Sequence, residues 1–250
     1  DILRKLQPNT KVELLLQSIN KIKLVAENSK FNLLCLPPDN FPLSDENVNQ
    51  KTFEVSSQKL LKLLNKTKIS ISNDETRHYL NGIFLHKIKL ENKSFLCGVA
   101  TDSLRLSSSS LEIDSSINIE PIILPKKTIY QLINLLEQNN GAIKISNNKS
   151  KIKFEMNNSV LISKVIDGRF PDYNKVIPKD NDKTLEIKLN EFKNSIERVT
   201  TVSSDRKEGL KMSIKKDSVQ LSVNNPNSGD AIENINAKFN SNDLNISFNS

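Results

Sequence analysis

The sequence has 250 residues and a mass of 28.2 kDa, with 36% apolar residues, 26% charged residues and a net charge of +7. Compact domains usually hold about 100–150 residues, so this length excludes one small core and predicts at least two domains. The composition excludes a collagen-like or wholly disordered chain. No apolar run in the sequence approaches the roughly 20 residues that cross a bilayer, and no charged-then-apolar leader opens it, so a cytoplasmic location is expected.

The first predicted elements are an amphipathic segment at residues 2–6 and a strand at residues 31–36, which leads into a Phe-Pro loop at residues 41–42. Cys35 lies in this strand, and Cys97 lies in a second apolar run. Apolar surroundings are typical of reduced, buried thiols, so two free and buried cysteines are expected.

The middle of the chain predicts two helices among several strands. The helices are expected at residues 57–65 and from Pro125 or Lys126 to residue 137, and the strands at residues 52–55, 82–90, 94–100, 118–124, 142–146, 151–156 and 160–165. Ser56 and Ser57 are both candidates for the N-cap of the first helix. The serine run at residues 107–110 is predicted to be a solvated loop. The last predicted strand, at residues 244–248, is followed by no further element, which is expected of an internal segment of a longer protein.

The sequence repeats itself with a period of about 130 residues. Residues 51–67 recur as residues 183–199 at an offset of 132, and residues 31–42 recur as residues 160–171 at an offset of 129. Each copy has the same order of predicted strands and helices. Repetition at a fixed period indicates an array of similar units, here of the α+β class.

The repeat predicts three domains of unequal completeness. Residues 1–47 are expected to be the C-terminal half of one domain, residues 51–178 a complete domain, and residues 183–250 the N-terminal part of a third. Residues 51–182 contain 20 basic and 14 acidic residues, so they account for six of the seven excess positive charges. A basic central domain suggests an anionic partner such as nucleic acid, although codon bias toward lysine is an alternative explanation.

The sequence contains no recognisable catalytic or metal-binding pattern. The two histidines, His78 and His86, are not at ligand spacing and have no nearby cysteine pair. No glycine-flanked serine resembles a nucleophile elbow, and no glycine-rich phosphate loop occurs. We therefore expect a protein that is not an enzyme, with no catalytic residues, no metal and no cofactor.

Lysines on the two predicted helices form the main candidate binding feature. Lys59, Lys62 and Lys66 recur at spacings of three and four opposite an apolar face, and Lys126 and Lys127 stand at the positive end of the second helix. Such a pattern can contact backbone phosphates without reading sequence, and an ordinary solvated helix face is the alternative.

Three segments of the sequence resemble the bacterial sliding clamp family, the beta subunit of DNA polymerase III. They are residues 77–82 (RHYLNG), 100–106 (ATDSLRL) and 165–173 (VIDGRFPDY), with supporting matches at residues 123–127 and 224–226. The resemblance runs over the whole chain, and its three-domain architecture agrees with the repeat.

The resemblance implies a non-catalytic processivity factor of bacterial DNA replication. Members of the family are expected to form a head-to-tail homodimeric ring of six domains, with helices lining a hole for double-stranded DNA and antiparallel sheets outside. The ring tethers the replicative polymerase, the clamp loader and repair proteins, which insert short hydrophobic peptide motifs into a pocket between the second and third domains.

The resemblance also implies three sets of site residues. Those expected to contact DNA are Arg4, Lys59, Lys62, Lys66, Arg77, His78, Tyr79, Lys126 and Lys127. Those expected to line the peptide pocket are Leu80, Thr101, Leu104, Arg105, Leu106, Pro171 and Val176. Those expected at the dimer interface are Ile2, Lys30, Leu33, Thr201 and Val202.

The sequence departs from the family pattern in the pocket motif. The family usually has Gly-His where this chain has Ser103 and Leu104, which predicts a pocket rim of different shape and polarity. One alternative is a repetitive α+β enzyme or binding module of the same fold without ring function, and a secreted repeat adhesin is a third hypothesis.

Overall fold

The computed structural model describes residues 1–41, 52–203 and 209–249. The chain divides into two compact units, Asp1–Phe170 and Pro171–Ser250. Pro42 and the domain boundary predicted at residues 47–51 lie outside the described residues. None of the helices within the described residues is long and apolar enough to cross a membrane.

The first unit begins with a short helix and a three-stranded antiparallel sheet. The elements are α1 (Ile2–Lys5), β1 (Val12–Ser18), β2 (Lys21–Ala26) and β3 (Ser29–Leu34), and the strands pair in the order β1-β2-β3. Leu24 and Ala26 on β2 are buried, whereas both faces of β1 are largely exposed. Cys35 follows β3 and is only half-buried, so the expectation of two buried thiols is confirmed for Cys97 alone.

Residues 52–170 of the first unit contain two α-helices and eight strands. The helices are α2 (Ser57–Thr67) and α3 (Lys126–Glu137). The strands are β4 (Phe53–Ser56), β5 (Gly82–Leu90), β6 (Lys93–Thr101), β7 (Leu106–Ile113), β8 (Ile122–Pro125), β9 (Ala142–Asn147), β10 (Lys151–Met156) and β11 (Ser159–Lys164). They form two antiparallel four-stranded sheets, ordered β7-β6-β5-β8 and β11-β10-β9-β4.

One hydrophobic core joins both helices to both sheets. The apolar positions of each helix recur at spacings of three and four, so they form a single buried face. The buried helix residues are Leu60, Leu63 and Leu64 on α2 and Ile129, Leu132, Ile133 and Leu136 on α3. The opposite face of each helix is left for solvent, and on α2 this face contains the lysine stripe.

One local sequence prediction is wrong in this unit, and another is confirmed only in part. Residues 107–110 belong to strand β7, because pairing with β6 from Ser94↔Ile113 to Thr101↔Leu106 outweighs the weak strand preference of serine. Ser56 does stand at the N-cap of α2, but its side chain makes no capping bond. Ser57 is fully buried, and its Oγ accepts a hydrogen bond from Asn139.

The second unit repeats the order that begins at β4 of the first unit, a short strand followed by a helix of 11 residues. Its elements are β12 (Leu185–Glu186), α4 (Leu189–Val199), β13 (Gly209–Ile214), β14 (Ser218–Asn225), β15 (Gly229–Asn236), β16 (Lys238–Phe239) and β17 (Leu244–Asn249). The sheets are ordered β15-β14-β13-β17 and β12-β16. Helices α2 and α4 both have 11 residues and keep the offset of 132, as do the 3-10 turns that follow them, Lys68–Ser70 and Thr200–Val202.

Candidate nucleic-acid and peptide interfaces

The lysine stripe of α2 is open to solvent along the helix. Lys59, Lys62 and Lys66 are exposed, and their spacing places them on the side away from the buried leucines. A shallow depression of about 530 Å³ lies on this surface, lined by Gln58, Leu61, Lys62, Asn65 and Lys66. The arrangement offers several cations along one exposed face of the helix.

A second cationic surface lies at the start of α3. Lys127 is exposed, and Nζ of the half-buried Lys126 donates a hydrogen bond to Oδ1 of Asn73. Pro125 occupies the N-cap and supplies no side-chain capping bond, so the positive end of the helix dipole adds to the two lysines. A depression of about 460 Å³ is lined by Ser72, Asn73, Glu75, Asn81, Lys126, Lys127 and Tyr130.

Lys68 and Tyr130 connect these two surfaces. Nζ of Lys68, just after α2, lies 5.8 Å from the ring centroid of Tyr130 on α3, within cation–π range. Tyr130 is 43% exposed, so part of the residue remains accessible. Sequence reasoning missed both residues, although Tyr130 follows Lys126 by four positions and therefore shares its helix face.

His78 and Tyr79, both expected to contact DNA, lie in a 3-10 segment, Glu75–Leu80. His78 is exposed and Tyr79 half-buried, and their rings meet edge to face with centroids 5.9 Å apart. Nε2 of His78 lies 3.2 Å from the carbonyl oxygen of Asp167. A Cβ on Gly168 would lie 3.1 Å from Cβ of Tyr79, so the absence of a side chain allows the two segments to approach this closely.

Arg77 is held by neighbouring polar groups. Its Nε donates to Oδ2 of Asp74 at 2.8 Å, and its Nη1 donates to Oγ of Ser103 at 2.6 Å. Hydrogen bonds from the Thr76 hydroxyl and from Arg77 lower the pKa of Asp74 to about 2. Two of the donor nitrogens of Arg77, which was expected to contact DNA, are therefore committed within the protein.

Residues 101–106 form a turn that is stabilised by hydrogen bonds from its own side chains. Oδ1 of Asp102 accepts from the backbone N–H groups of Leu104 and Arg105, each at 3.0 Å, and Oδ2 accepts from Nε of Arg105 at 2.9 Å. Oγ1 of Thr101 donates to the carbonyl oxygen of Arg105 at 2.8 Å. Burial raises the pKa of Asp102, but these hydrogen bonds outweigh it and hold the pKa below its usual range.

The expected pocket residues differ greatly in exposure. Leu104 is 90% exposed, whereas Leu106 is half-buried at the start of β7. Leu80 is only 3% exposed, so it is a buried residue that offers little area to a ligand. Pro171 and Val176 belong to the second unit and are exposed there.

The residues expected at the dimer interface and Arg4 lie near the surface of their units. Arg4 in α1 and Lys30 on β3 are exposed, and Ile2 and Leu33 are half-buried. In the second unit Thr201 is exposed, and Val202 packs partly against the core. The carbonyl oxygen of Val202 accepts a hydrogen bond from Nδ2 of Asn225 at 3.1 Å.

Within residues 1–41, 52–203 and 209–249, no three His, Cys, Asp or Glu side chains are grouped so that they could hold a metal ion. The histidines are instead engaged separately. Nδ1 of His86 lies 3.3 Å from the carbonyl oxygen of Cys97, across the β5–β6 ladder.

Comparison with known proteins gives matches along nearly the whole chain. The family model described as DNA polymerase III beta subunit, central domain, matches residues 54–172, and the model of the C-terminal domain matches residues 174–250. The beta sliding clamp of Caulobacter vibrioides is 32% identical over all of this chain and 68% of its own length. The beta sliding clamp of Rickettsia felis is 34% identical over 95% of this chain and 62% of its own length.

Solved structures show the same similarity. A DnaN sliding clamp from Bartonella birtlesii bound to griselimycin has a TM-score of 0.92 at 36% identity, covering 99% of this chain and 67% of that one. The Caulobacter crescentus beta sliding clamp has a TM-score of 0.93 at 32% identity, covering 99% and 66%. This chain thus spans about two thirds of the length of these relatives. It belongs to the DNA polymerase III beta subunit family, the beta sliding clamps, which are non-catalytic processivity factors.

Proposed function

We propose that this chain works as part of a ring-shaped clamp that encircles duplex DNA and tethers the replicative polymerase to it. The observation that supports this most directly is the exposed basic surface on α2 and α3 in a chain of this family. Cations on a ridge neutralise phosphates without holding the protein at one sequence, which a sliding contact requires.

We assign the DNA contacts mainly to lysines. Lys59, Lys62 and Lys66 provide the stripe on α2, and Lys126 and Lys127 provide the cations at the start of α3. Arg4, His78 and Tyr79 are secondary candidates. Each phosphate contact releases condensed counterions, so binding to duplex DNA should weaken steeply as salt rises.

The partner site is proposed at the turn of residues 101–106. Leu104 and Leu106 offer apolar area beside the charged side chain of Arg105, which suits a short hydrophobic peptide with polar flanks. A related clamp has been solved bound to griselimycin, and we propose that this compound binds at the corresponding surface here. We further propose a cytoplasmic head-to-tail homodimer, with Ile2, Lys30 and Leu33 facing Thr201 and Val202 of the partner.

Retention on DNA tests the ring function. The full-length protein, loaded by a clamp loader, should remain on circular plasmid and slide off the same plasmid after linearisation. Lys126→Glu with Lys127→Glu should lower retention severalfold at moderate salt, because two phosphate-facing cations become anions. Lys149→Glu with Lys164→Glu is the matched control, since both lysines are exposed and lie off the two helices. Equal retention on both DNA forms would contradict the proposal.

Griselimycin binding tests the partner site. Leu104→Ala and Leu106→Ala should each weaken binding by roughly tenfold, the usual effect of losing a buried apolar contact of about 1–2 kcal/mol. Leu90→Ala is the control, because Leu90 is 57% exposed at the opposite end of the β5–β6 hairpin. Unchanged affinity in both pocket variants would remove this turn from the site.

A further inference from the structure

A row of polar side chains leads from the 3-10 segment to the proposed partner site. Oδ1 of Asp74 accepts from the backbone N–H and the hydroxyl of Thr76, at 2.9 and 2.6 Å. Its Oδ2 accepts from Nε of Arg77, whose Nη1 in turn donates to Oγ of Ser103. Thr76 thus orients the Asp74 carboxylate, and the carboxylate in turn orients the Arg77 guanidinium, which contacts Ser103.

Ser103 is the residue of the turn that most needs such support. Its φ is +79°, in the left-handed region, which a residue with a Cβ adopts only at a cost. Its backbone N–H donates to Oγ1 of Thr101 at 3.1 Å, and the following two N–H groups bond to Asp102. Thr101 and Asp102 therefore stabilise the turn through hydrogen bonds within it, and Arg77 stabilises it through a hydrogen bond from the 3-10 segment.

Leu104 depends on this backbone for its position. At 90% exposed, its side chain has little packing of its own to fix where it stands. A fixed backbone would present Leu104 and Leu106 to a peptide in one arrangement, which reduces the entropy lost on binding.

We propose that Arg77 and Ser103 are positioning residues for partner binding, with the Arg77–Ser103 hydrogen bond holding the left-handed turn so that Leu104 is pre-set for a hydrophobic peptide. This inference rests on the proposed partner site. The proposal also gives a role to Ser103, which stands where the family usually has glycine. A glycine would adopt the same φ freely but would offer no hydroxyl to Arg77.

A double-mutant cycle on this chain measures the bond itself. Griselimycin is the probe, and its Kd is measured by isothermal titration calorimetry for wild type, Ser103→Ala, Arg77→Met and the double variant. Ser103→Ala keeps the Cβ and removes only the acceptor. Each single variant should weaken binding about fivefold, the size expected for one exposed hydrogen bond to a charged group, and the double variant should be no weaker than either. Multiplied effects, about 25-fold in the double variant, would overturn the proposal.

Amide hydrogen exchange gives a readout that needs no ligand. Exchange at the N–H groups of Leu104 and Arg105 should quicken severalfold in Ser103→Ala, and it should be unchanged in Ser110→Ala, an exposed serine on β7. Ser103→Asn should restore slow exchange and affinity to within about twofold, because asparagine tolerates the left-handed region and has a side-chain acceptor.

The two proposals fail in different ways. A wild-type chain that does not bind griselimycin would overturn the partner site, and with it the effect on binding inferred for Arg77. Normal griselimycin binding with unchanged exchange in Ser103→Ala would overturn the role of the Arg77–Ser103 bond and leave the partner site standing.

Discussion

Nδ2 of Asn139 donates a hydrogen bond of 2.9 Å to Oγ of Ser57, joining the turn after α3 to the first residue of α2. The backbone N–H of Ser57 also donates to the carbonyl oxygen of Gly141 at 3.1 Å. Ser57 is fully buried, so its hydroxyl has no access to bulk water as a substitute partner. The turn after α3 therefore supplies a hydrogen-bond acceptor to a backbone N–H at the start of α2, a role that an N-cap side chain usually has.

We expect Asn139→Ala to lower the free energy of unfolding by about 1–2 kcal/mol, because it leaves the buried hydroxyl of Ser57 without this donor. Guanidinium chloride unfolding followed by circular dichroism measures the change. Asn140→Ala is the control, since Asn140 is exposed and its Oδ1 accepts a hydrogen bond from the exposed Gln58 at 3.2 Å. Its substitution should cost less than about 0.5 kcal/mol. Equal losses in the two variants would contradict the role given to Asn139.

The loss of stability caused by a glycine-to-alanine substitution should depend on the space available for the new Cβ. At Gly98 the new atom would lie 2.6 Å from Cδ2 of Leu63, so the leucine must move and the cost should be about 1–3 kcal/mol. At Gly82 it would meet the backbone carbonyl oxygen of Leu124 in the β5–β8 ladder, which cannot rotate away, so the loss should be larger. Gly141→Ala, with its nearest atom at 3.7 Å, is the control. A different order of the three melting temperatures would show that the backbone around these glycines adjusts more easily than its packing indicates.

The Asp74 carboxylate should titrate far below an ordinary aspartate. Its folded pKa of about 2 lies under the usual 3.8, so its contribution to stability is complete above pH 3.8 and is lost as pH falls from there toward 2. Carbon-13 NMR of the carboxyl group measures this directly. Thr76→Val should move the pKa upward, because the Thr76 hydroxyl is the largest cause of the shift. A wild-type value near 3.8 would show that the network with Thr76 and Arg77 does not persist in solution.

His86 should make the free energy of unfolding depend on pH at higher pH than Asp74 does, around and below pH 6.5. Burial lowers its pKa below 6.5, and its ring stacks on Phe84 with centroids 4.5 Å apart. As pH falls through 6.5, the unfolded chain therefore takes up the proton more readily than the folded chain, and the free energy of unfolding decreases. His86→Gln should flatten this slope between pH 7.5 and about 5.5. A slope that survives His86→Gln would assign it to other groups.

Helix positions were predictable because they depend on local periodicity. The repeat places α2 and α4 at the same offset, and the structure confirms both, with α2 extending two residues beyond its predicted end. Strand β7 was missed because serines carry little strand preference, and their conformation is imposed by β6 from outside the segment.

Side-chain environments were less predictable than the positions of the helices and strands. Phe41 and Phe170 occupy matching positions of the repeat, yet Phe41 is 72% exposed whereas Phe170 is 7% exposed and stacks on Phe84 at 5.0 Å. The sequence repeat specifies the residue but does not specify its partner. In the same way, the lysine stripe on α2 was visible from spacing, while the bond between Arg77 and Ser103 joins residues far apart in the chain and left no local pattern.

The pairing of β4 with β9 sets an order of events during synthesis. Phe53 on β4 is opposite Ile145 on β9, so β4 waits for about 90 further residues before its ladder can form. The apolar face of α2, which follows β4, stays uncovered until β6, β7 and α3, the elements it packs against, have been made. A chaperone that shields newly made apolar segments would meet this part of the chain early, and translation pauses before β7 would lengthen the exposure of α2.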